Sequence, residues 1–440
     1  MEMGNTTTAP PSRSRRKLWL GFSVALLMAS ILLFINGNPP SVQVQMVYPP
    51  HDRSKHDGQW MSFTTPFHLH AYSAFWDDRR SLGSLPVVRI MAVAEILDQR
   101  RVFCRLTYVG SDAAVVVEAT FGAIGMGVGL QGHFLREYVI SCPLIDEFIP
   151  FQVSLLPSPT APASFALPVA VPHRPKVKRE FAACISVTYW THNPFKIVEW
   201  MELLKTFGVS KVTVYNNSLI AEASLVFQHY DRLGFVDFRQ SHNFLNDSSE
   251  YNIHLHMSPV INDCMYRNMH AFKKIIVTDL DEIITPRNHS NYHDMIAAIE
   301  RSLTEYHPAR IYIFSNAYFF SDLPPSDSSR NETSKLWTMK YRVRMPTSPQ
   351  GYAIKSIIDP QACVNMHNHY CWGLTPLYDK AGLHVDVPEV FGLNQHYKRC
   401  HLEKQCGESW KDAIADDTML RFREVLTNRV KAKLKEIGLV

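Results

Sequence analysis

The sequence predicts an α/β protein: a parallel or mixed sheet flanked by helices, preceded by a small β-rich module and an amino-terminal transmembrane helix. Three observations predict it. From residue 178 onward, strand-like and helix-like runs alternate, the pattern that builds parallel sheets with crossover helices. Residues 81–156 hold strand-like runs with no helical period between them. Residues 18–35 carry no charge at all.

In chain order, Arg13, Arg15, Arg16 and Lys17 precede that uncharged run. As a helix rising 1.5 Å per residue it spans about 27 Å, which suits a thin secretory-pathway bilayer. It runs out into Phe34-Ile35-Asn36-Gly37 without a small-x-small exit, so an uncleaved anchor is expected rather than a signal peptide. No Lys or Arg follows before Arg53. The positive-inside rule therefore predicts residues 1–17 as a cytoplasmic tail, 18–35 as a single-pass type II signal anchor, and everything beyond as lumenal. A chain of 440 residues exceeds one ordinary core, so a catalytic-sized domain plus something smaller is expected. The net charge is only +4; with four basic residues in the tail, the remainder is near neutral, which argues against nucleic acid as a partner.

An oxidising lumen makes disulfides the expected state of the eight cysteines, at 104, 142, 184, 264, 363, 371, 400 and 406. Cys363, His367, His369, Cys371, His396, Cys400, His401 and Cys406 suggest zinc only superficially, because their spacings match no compact ligand set. Sequons at Asn246, Asn288 and Asn331 are expected to be glycosylated on lumenal loops. Asn5 is cytoplasmic, and Asn216 falls at a strand end, a poor acceptor.

Residues 36–80 begin polar and proline-containing (Pro39, Pro40, Pro49, Pro50) and read as a stem. The β-rich module, 81–156, has strands expected at 87–96, 101–108, 113–120 and 137–142, with Cys104 and Cys142 placed to tie two of them. Gly122, Gly125, Gly127 and Gly129 read as a flexible turn, since no amphipathic helix follows to make a phosphate loop. Pro157, Pro159, Pro162, Pro168, Pro172 and Pro175 mark 157–177 as a linker without regular structure. The domain at 178–412 then reads strand 181–189, helix 194–207 closed by Gly208, strand 211–215, helix 223–233 closed by Gly234, strand 235–239, helix 259–272 and strand 274–278. A helix at 292–303 and a strand at 309–314 follow, then a loop-rich region. Residues 413–440 read as an amphipathic helix whose Lys and Arg face solvent.

The chemistry concentrates where Lys273-Lys-Ile-Ile-Val-Thr278 ends in Asp279-Leu280-Asp281-Glu282. Carboxylates at the end of a buried strand are costly to desolvate and need a cation or a hydrogen-bond network. Ligand crevices of open α/β sheets lie at this end of the strands, and Asp-x-Asp there suits a divalent metal holding a diphosphate.

Five ordered blocks carry a family likeness: Phe181-Ala-Ala-Cys-Ile-Ser-Val, Ile197-Val-Glu-Trp-Met201, Gly208-Val-Ser-Lys-Val-Thr-Val-Tyr-Asn-Asn217, Asn262-Asp-Cys-Met-Tyr-Arg267 and Thr278-Asp-Leu-Asp-Glu-Ile-Ile-Thr-Pro286. Together they resemble glycosyltransferase family 92. The resemblance covers roughly residues 180–400 and implies a GT-A-like, Rossmann-type domain in a Golgi membrane enzyme with its catalytic part in the lumen. It further implies an inverting, Mn²⁺-dependent transferase that uses a sugar nucleotide, UDP-galactose. Galactose would pass in β-1,4 linkage to terminal galactose or fucose of a glycan on glycoprotein or glycolipid. Asp279 and Asp281 match the family's Asp-x-Asp; Lys355-Ser-Ile-Ile-Asp-Pro and His396-Tyr397-Lys398 resemble its later blocks.

On this reading Asp281 ligates the metal and Asp279 touches the ribose or a water on the metal. Tyr215, Asn216 and Asn217 line the nucleoside pocket, with Lys355 beside the donor. Asp263 and Arg267 either bind donor or simply pair, being four apart on a helix. The late histidine recruited to the metal is one of His367, His369 and His396, with His367 taken as the ligand. Inversion needs a base, and Asp322, Asp379, Asp386 and Glu389 are undistinguished candidates. Glu199 and Glu282 suit capping, pairing or supporting hydrogen bonds. Two rivals stay open: a membrane-tethered carbohydrate-binding protein with a degenerate transferase fold, and a metal-dependent phosphodiesterase, which would need a denser His/Asp set.

Overall fold

A computed structural model describes residues 58–440 except 80–83, 98–99, 112, 131, 191, 246–249, 304–308, 324–333, 379–382 and 401–409. The tail, the anchor and most of the stem lie outside the described residues, as do Asn246, Asn331, Asp379 and Cys406. Among the described residues no helix is long and apolar enough to cross a membrane.

The first layer is a nine-stranded sheet built from β1 (Met61–Phe63), β2 (Leu69–Asp77), β3 (Val87–Glu95), β4 (Phe103–Thr107), β5 (Val115–Glu118), β6 (Thr120–Leu130), β7 (His133–Pro143), β8 (Gln152–Leu156) and β9 (Leu167–Ala170). Its order is β5-β4-β8-β9-β2-β3-β7-β6, with β1 on β2. The module is thus larger than the sequence suggested. Residues 61–77, expected in the stem, form two strands because Leu69, Ala71, Ala74 and Phe75 are all buried. Residues 167–170, expected in an unstructured linker, form β9: Leu167 and Val169 point into the core and Pro168 out, so the missing donor is tolerated. The glycine-rich run is a strand rather than a turn. Its register slips between Ile124 and Val128, where Gly125 and Gly127 take positive φ, as in a β-bulge.

The second layer alternates as expected. It runs β10 (Arg179–Trp190), α1 (Pro194–Thr206), β11 (Val209–Leu219), α2 (Ala221–Arg232), β12 (Val236–Gln240), α3 (Glu250–Asn268), β13 (Phe272–Thr278), β14 (Glu282–Pro286) and α4 (Tyr292–Ser302). Asn193 caps α1, its side chain accepting from Phe195 N. Then come β15 (Ile311–Phe314), β16 (Asn316–Phe320), α5 (Trp337–Lys340), β17 (Val343–Arg344), β18 (Lys355–Ile358), β19 (Cys363–Met366), β20 (Cys371–Leu374), β21 (His384–Val387), β22 (Gly392–Lys398), β23 (Ile414–Ala415) and α6 (Arg423–Ile437). The main sheet is mixed, β12-β11-β10-β13-β18-β15-β21. Its first four strands are mutually parallel, and β18 runs antiparallel to both neighbours. A three-stranded sheet, β14-β22-β16, stands beyond the end of β13. Helix α6 is shorter than expected and buries Leu426, Val430 and Leu434 in the core shared with α1.

The two layers share a core. Even positions of β3 (Val88, Ile90, Ala92, Ala94) fill the module's interior, while Met91 faces the cluster built around α3. That helix is buried nearly all round, so its first turns show no amphipathic period, and Pro259 sits inside it rather than at its start. The described residues from 58 onward accordingly form one compact unit. Bridges Cys104–Cys142, Cys184–Cys264 and Cys363–Cys371 are present, with Cα separations of 5.9, 5.8 and 5.8 Å. The first is the expected tie within the module, and these six cysteines are bridged rather than zinc-bound.

Candidate active site

Strand β13 lies between β10 and β18 in the middle of the main sheet and delivers Asp279 to its carboxyl edge. The Thr278 hydroxyl donates to Glu282 O at 2.9 Å and Glu282 N to Asp279 O at 3.2 Å, closing the turn that presents the carboxylates. Asp279 accepts from the Ser186 hydroxyl on β10 and from Lys355 Nζ, the latter at 2.8 Å. Lys355, on β18, is fully buried and also lies 2.9 Å from Glu282 Oε2 and 3.0 Å from Asn368 Oδ1. Burial works against its charge, but Asp279 and Glu282 hold its pKa above the ordinary lysine value. With these partners its donors are engaged, and Lys355 neutralises two carboxylates.

Asp281 is different. Its side chain is 38% exposed and its nearest cation is His396 Nε2 at 3.4 Å. The other His396 nitrogen is 2.9 Å from Glu282 Oε1, across the β14–β22 register that pairs Glu282 with His396. Burial pushes the His396 pKa down, but the hydrogen bonds to Asp281 and Glu282 outweigh it and raise it to about 9. Burial likewise pushes Asp281 up, and His396, Lys196 and Lys355 more than reverse this, holding its carboxyl well below the usual range. His192 and Lys196, at the start of α1, both interact electrostatically with Asp281. Tyr318 of β16 packs its ring 5.0 Å from that of His396. The exposed Asp281 carboxylate offers the oxygen ligands that suit Mn²⁺, and His396 beside it could join only by giving up the proton it shares between Asp281 and Glu282.

The histidine beside Asp281 is thus His396, not His367. His367 packs against His369, Tyr370 and Trp372, and burial first, then His369 and Lys355, lower its pKa to about 4. It belongs to the hairpin β19–β20, whose tip residue Asn368 binds Lys355. On that hairpin Tyr370 and Trp372 stack at 5.7 Å, and Trp372 is 44% exposed.

Tyr215, Asp263 and Arg267 form a separate, closed cluster. Tyr215 occupies the face of β11 turned to α3, and its hydroxyl donates to Asp263 Oδ2 at 2.5 Å; Arg267 binds both Asp263 oxygens, at 2.5 and 3.0 Å. The pairing of Asp263 with Arg267 is thus observed. Asn216 and Asn217 stand at the carboxyl end of β11 as expected, but their amides bond to Gln240 Oε1 (2.9 Å) and Ser241 O (2.7 Å). Glu199 caps α5 through Trp337 N and Thr338 N. Of the base candidates, Asp322 accepts from Cys400 N, Asp386 from Gln350, and Glu389 from Arg344 and Thr347. None of these partners belongs to the Asp281 cluster, and Asp379 lies outside the described residues. Sequence reasoning missed Ser186, His192, Lys196, Tyr318 and Asn368. Only Ser186 had a readable signal, since a parallel neighbour of β13 must end beside Asp279.

The model of glycosyltransferase family 92 matches residues 179–437, more than half of the chain. The chain belongs to glycosyltransferase family 92. The matched span of this family 92 protein contains Ser186, Asp279, Asp281, Lys355 and His396, and leaves out the β-rich module. No curated protein matches the chain by sequence. Among solved structures, an apo structure of the WbbM bifunctional glycosyltransferase is similar over 34% of this chain and 26% of that one, at 8% identity and a TM-score of 0.19. The chain thus spans about a quarter of that structure, a likeness too slight to carry anything across.

Proposed function

We propose that this family 92 member is an inverting, divalent-metal-dependent galactosyltransferase, anchored as a single-pass type II protein in the Golgi membrane with its catalytic domain in the lumen. The single observation that carries the transferase reading is Asp281, a partly exposed carboxylate next to an imidazole just beyond the carboxyl edge of the sheet's parallel strands, where ligands of such sheets bind. Asp281 and His396 would hold the metal, and Asp279, fixed by Ser186 and Lys355, would face the ribose. When bound, Mn²⁺ would screen the diphosphate and stabilise charge on the departing nucleotide. Lys196 would add positive potential where that diphosphate lies, while His192, kept neutral by burial, would offer a hydrogen bond. The exposed face of Trp372, backed by Tyr370, offers an apolar wall for a sugar ring.

Galactose, UDP, the β-1,4 linkage and a galactose- or fucose-terminated acceptor rest on the family resemblance. The experiment is turnover of a panel of UDP-sugars by the full-length protein with Mn²⁺ and such acceptors, the product's anomeric configuration read by NMR. UDP-galactose and a β-linked product are expected. Preference for another donor would overturn the sugar assignment, and an α-linked product the inverting one.

A further inference from the structure

The β-rich module, which lies outside the matched family span, gathers its own metal-binding side chains. His68 precedes β2, Glu95 ends β3 and His133 begins β7, three strands that are neighbours in the sheet. Glu95 N donates to His68 O at 3.0 Å, and the β3–β7 register sets Glu95 opposite Leu135, two residues from His133. All three side chains therefore emerge at one end of the sheet. One nitrogen from each imidazole and one Glu95 oxygen lie within 4.8 Å of one another.

The contacts within the cluster leave donor capacity unused. His133 Nδ1 is 2.9 Å from Glu95 Oε1, and Arg100 Nη2 holds Glu95 Oε2 at 2.7 Å. The rings of His68 and His133 are 4.0 Å apart. His68 Nδ1 is buried with no hydrogen-bond partner, a cost that a ligand would remove. His70, two residues along, is 6.0 Å ring to ring from His68 and bonds Ser62 through Nδ1.

We propose that His68, Glu95 and His133 bind one divalent transition-metal ion, zinc, with water completing its shell. Two imidazole nitrogens and a carboxylate oxygen are the donor types zinc takes when thiolate is absent, and Cys104 and Cys142 of this module are bridged to each other. Zinc–ligand distances of about 2.0–2.2 Å require the three donor atoms to close to roughly 3.3 Å. His133, 39% exposed, is free to swing the needed distance. Arg100 then orients the carboxylate from behind, as outer-shell partners of metal ligands do. The ion would pin β2, β3 and β7 together at the end of the sheet.

The test uses the full-length protein in detergent, carrying Asp281→Asn to remove metal binding at the crevice, stripped with chelator and titrated with zinc, cobalt serving as a visible-absorption probe. One zinc per chain is expected, with affinity falling at least about 10-fold in His133→Ala and in Glu95→Gln, and with the cobalt bands lost in both. Circular dichroism and the metal-free melting temperature should match those of the parent, separating loss of a ligand from loss of the fold. Zinc binding that is absent, or equally tight in both variants, would overturn the site.

Discussion

Asp263 and Asp281 are both aspartates whose charge a neighbouring cation supports, and both sit in blocks that the sequence ranks alike, yet they have opposite surroundings. Asp263 is fully buried and wrapped by Arg267 and Tyr215, with Arg239 adding charge. Asp281 has one cation at 3.4 Å and more than a third of its side chain in solvent. The first cluster is closed: every strong donor it needs comes from the chain, and nothing is left to bind. The second is open, with carboxylate capacity facing a crevice. Closure marks a carboxylate that holds the fold, and openness leaves one with capacity for a ligand, the role we propose for Asp281.

The sharpest way to break this contrast is to remove the closed carboxylate. Asp263→Ala leaves Arg267, 25% exposed, without its counter-charge and Tyr215 without its acceptor, and breaking a largely buried pair of this kind costs about 3 kcal/mol or more. Urea unfolding should show a loss of that size; a loss below about 1 kcal/mol would mean that the cluster is not closed. Lys355→Met is the next largest effect, at about 3 kcal/mol, because Asp279 loses its counter-charge while Glu282 keeps only His396. Burial pushes the Asp279 pKa up and Lys355 holds it down, so without Lys355 it should rise and part of the loss should be recovered at mildly acidic pH; a pH-independent loss would mean that Lys355 acts by packing alone.

A third test uses pH on a closed cluster in the module. Burial opposes the charge of Asp77, but Arg79 and Arg89 lower its pKa from 3.8 to about 2. A depressed carboxylate stabilises above its unfolded value, so about 2 kcal/mol should be lost as pH falls from 3.8 through about 2. Asp77→Asn should flatten that part of the acid-unfolding curve. The smallest stability effect belongs to the open side: Trp372→Ala should change stability by no more than about 0.5 kcal/mol. It should raise the acceptor KM with little change in kcat, and an unchanged KM would remove Trp372 from the acceptor wall.

The same distinction explains what could be read without the structure. The strand–helix alternation of residues 178–303 was legible because each element announces itself locally, through period and glycine caps such as Gly208 and Gly234, both at positive φ. Asp279 and Asp281 were legible because strand order alone puts them at the crevice. Openness is not local. That His396 rather than His367 meets Asp281 depends on the pairing of β14 with β22, more than a hundred residues apart. That Tyr215 turns away from the crevice depends on which face of β11 meets α3. Strand β9 was missed because its proline-bearing stretch became a strand only through neighbours distant in sequence, such as Val169 beside Ala74, whereas β1 and the largely apolar β2 were absorbed into the polar stem that precedes them.

The most direct test is Asp281→Asn in the full-length protein, assayed with UDP-galactose, Mn²⁺ and a galactose-terminated acceptor beside the wild type. Removing an open carboxylate should lower turnover at least ~10²-fold, as loss of a strong electrostatic stabiliser does, while the urea midpoint stays near that of the wild type; chelation should reproduce the loss reversibly. An Asp281→Asn protein that keeps most of its turnover, or that loses it only because it unfolds, would contradict the account.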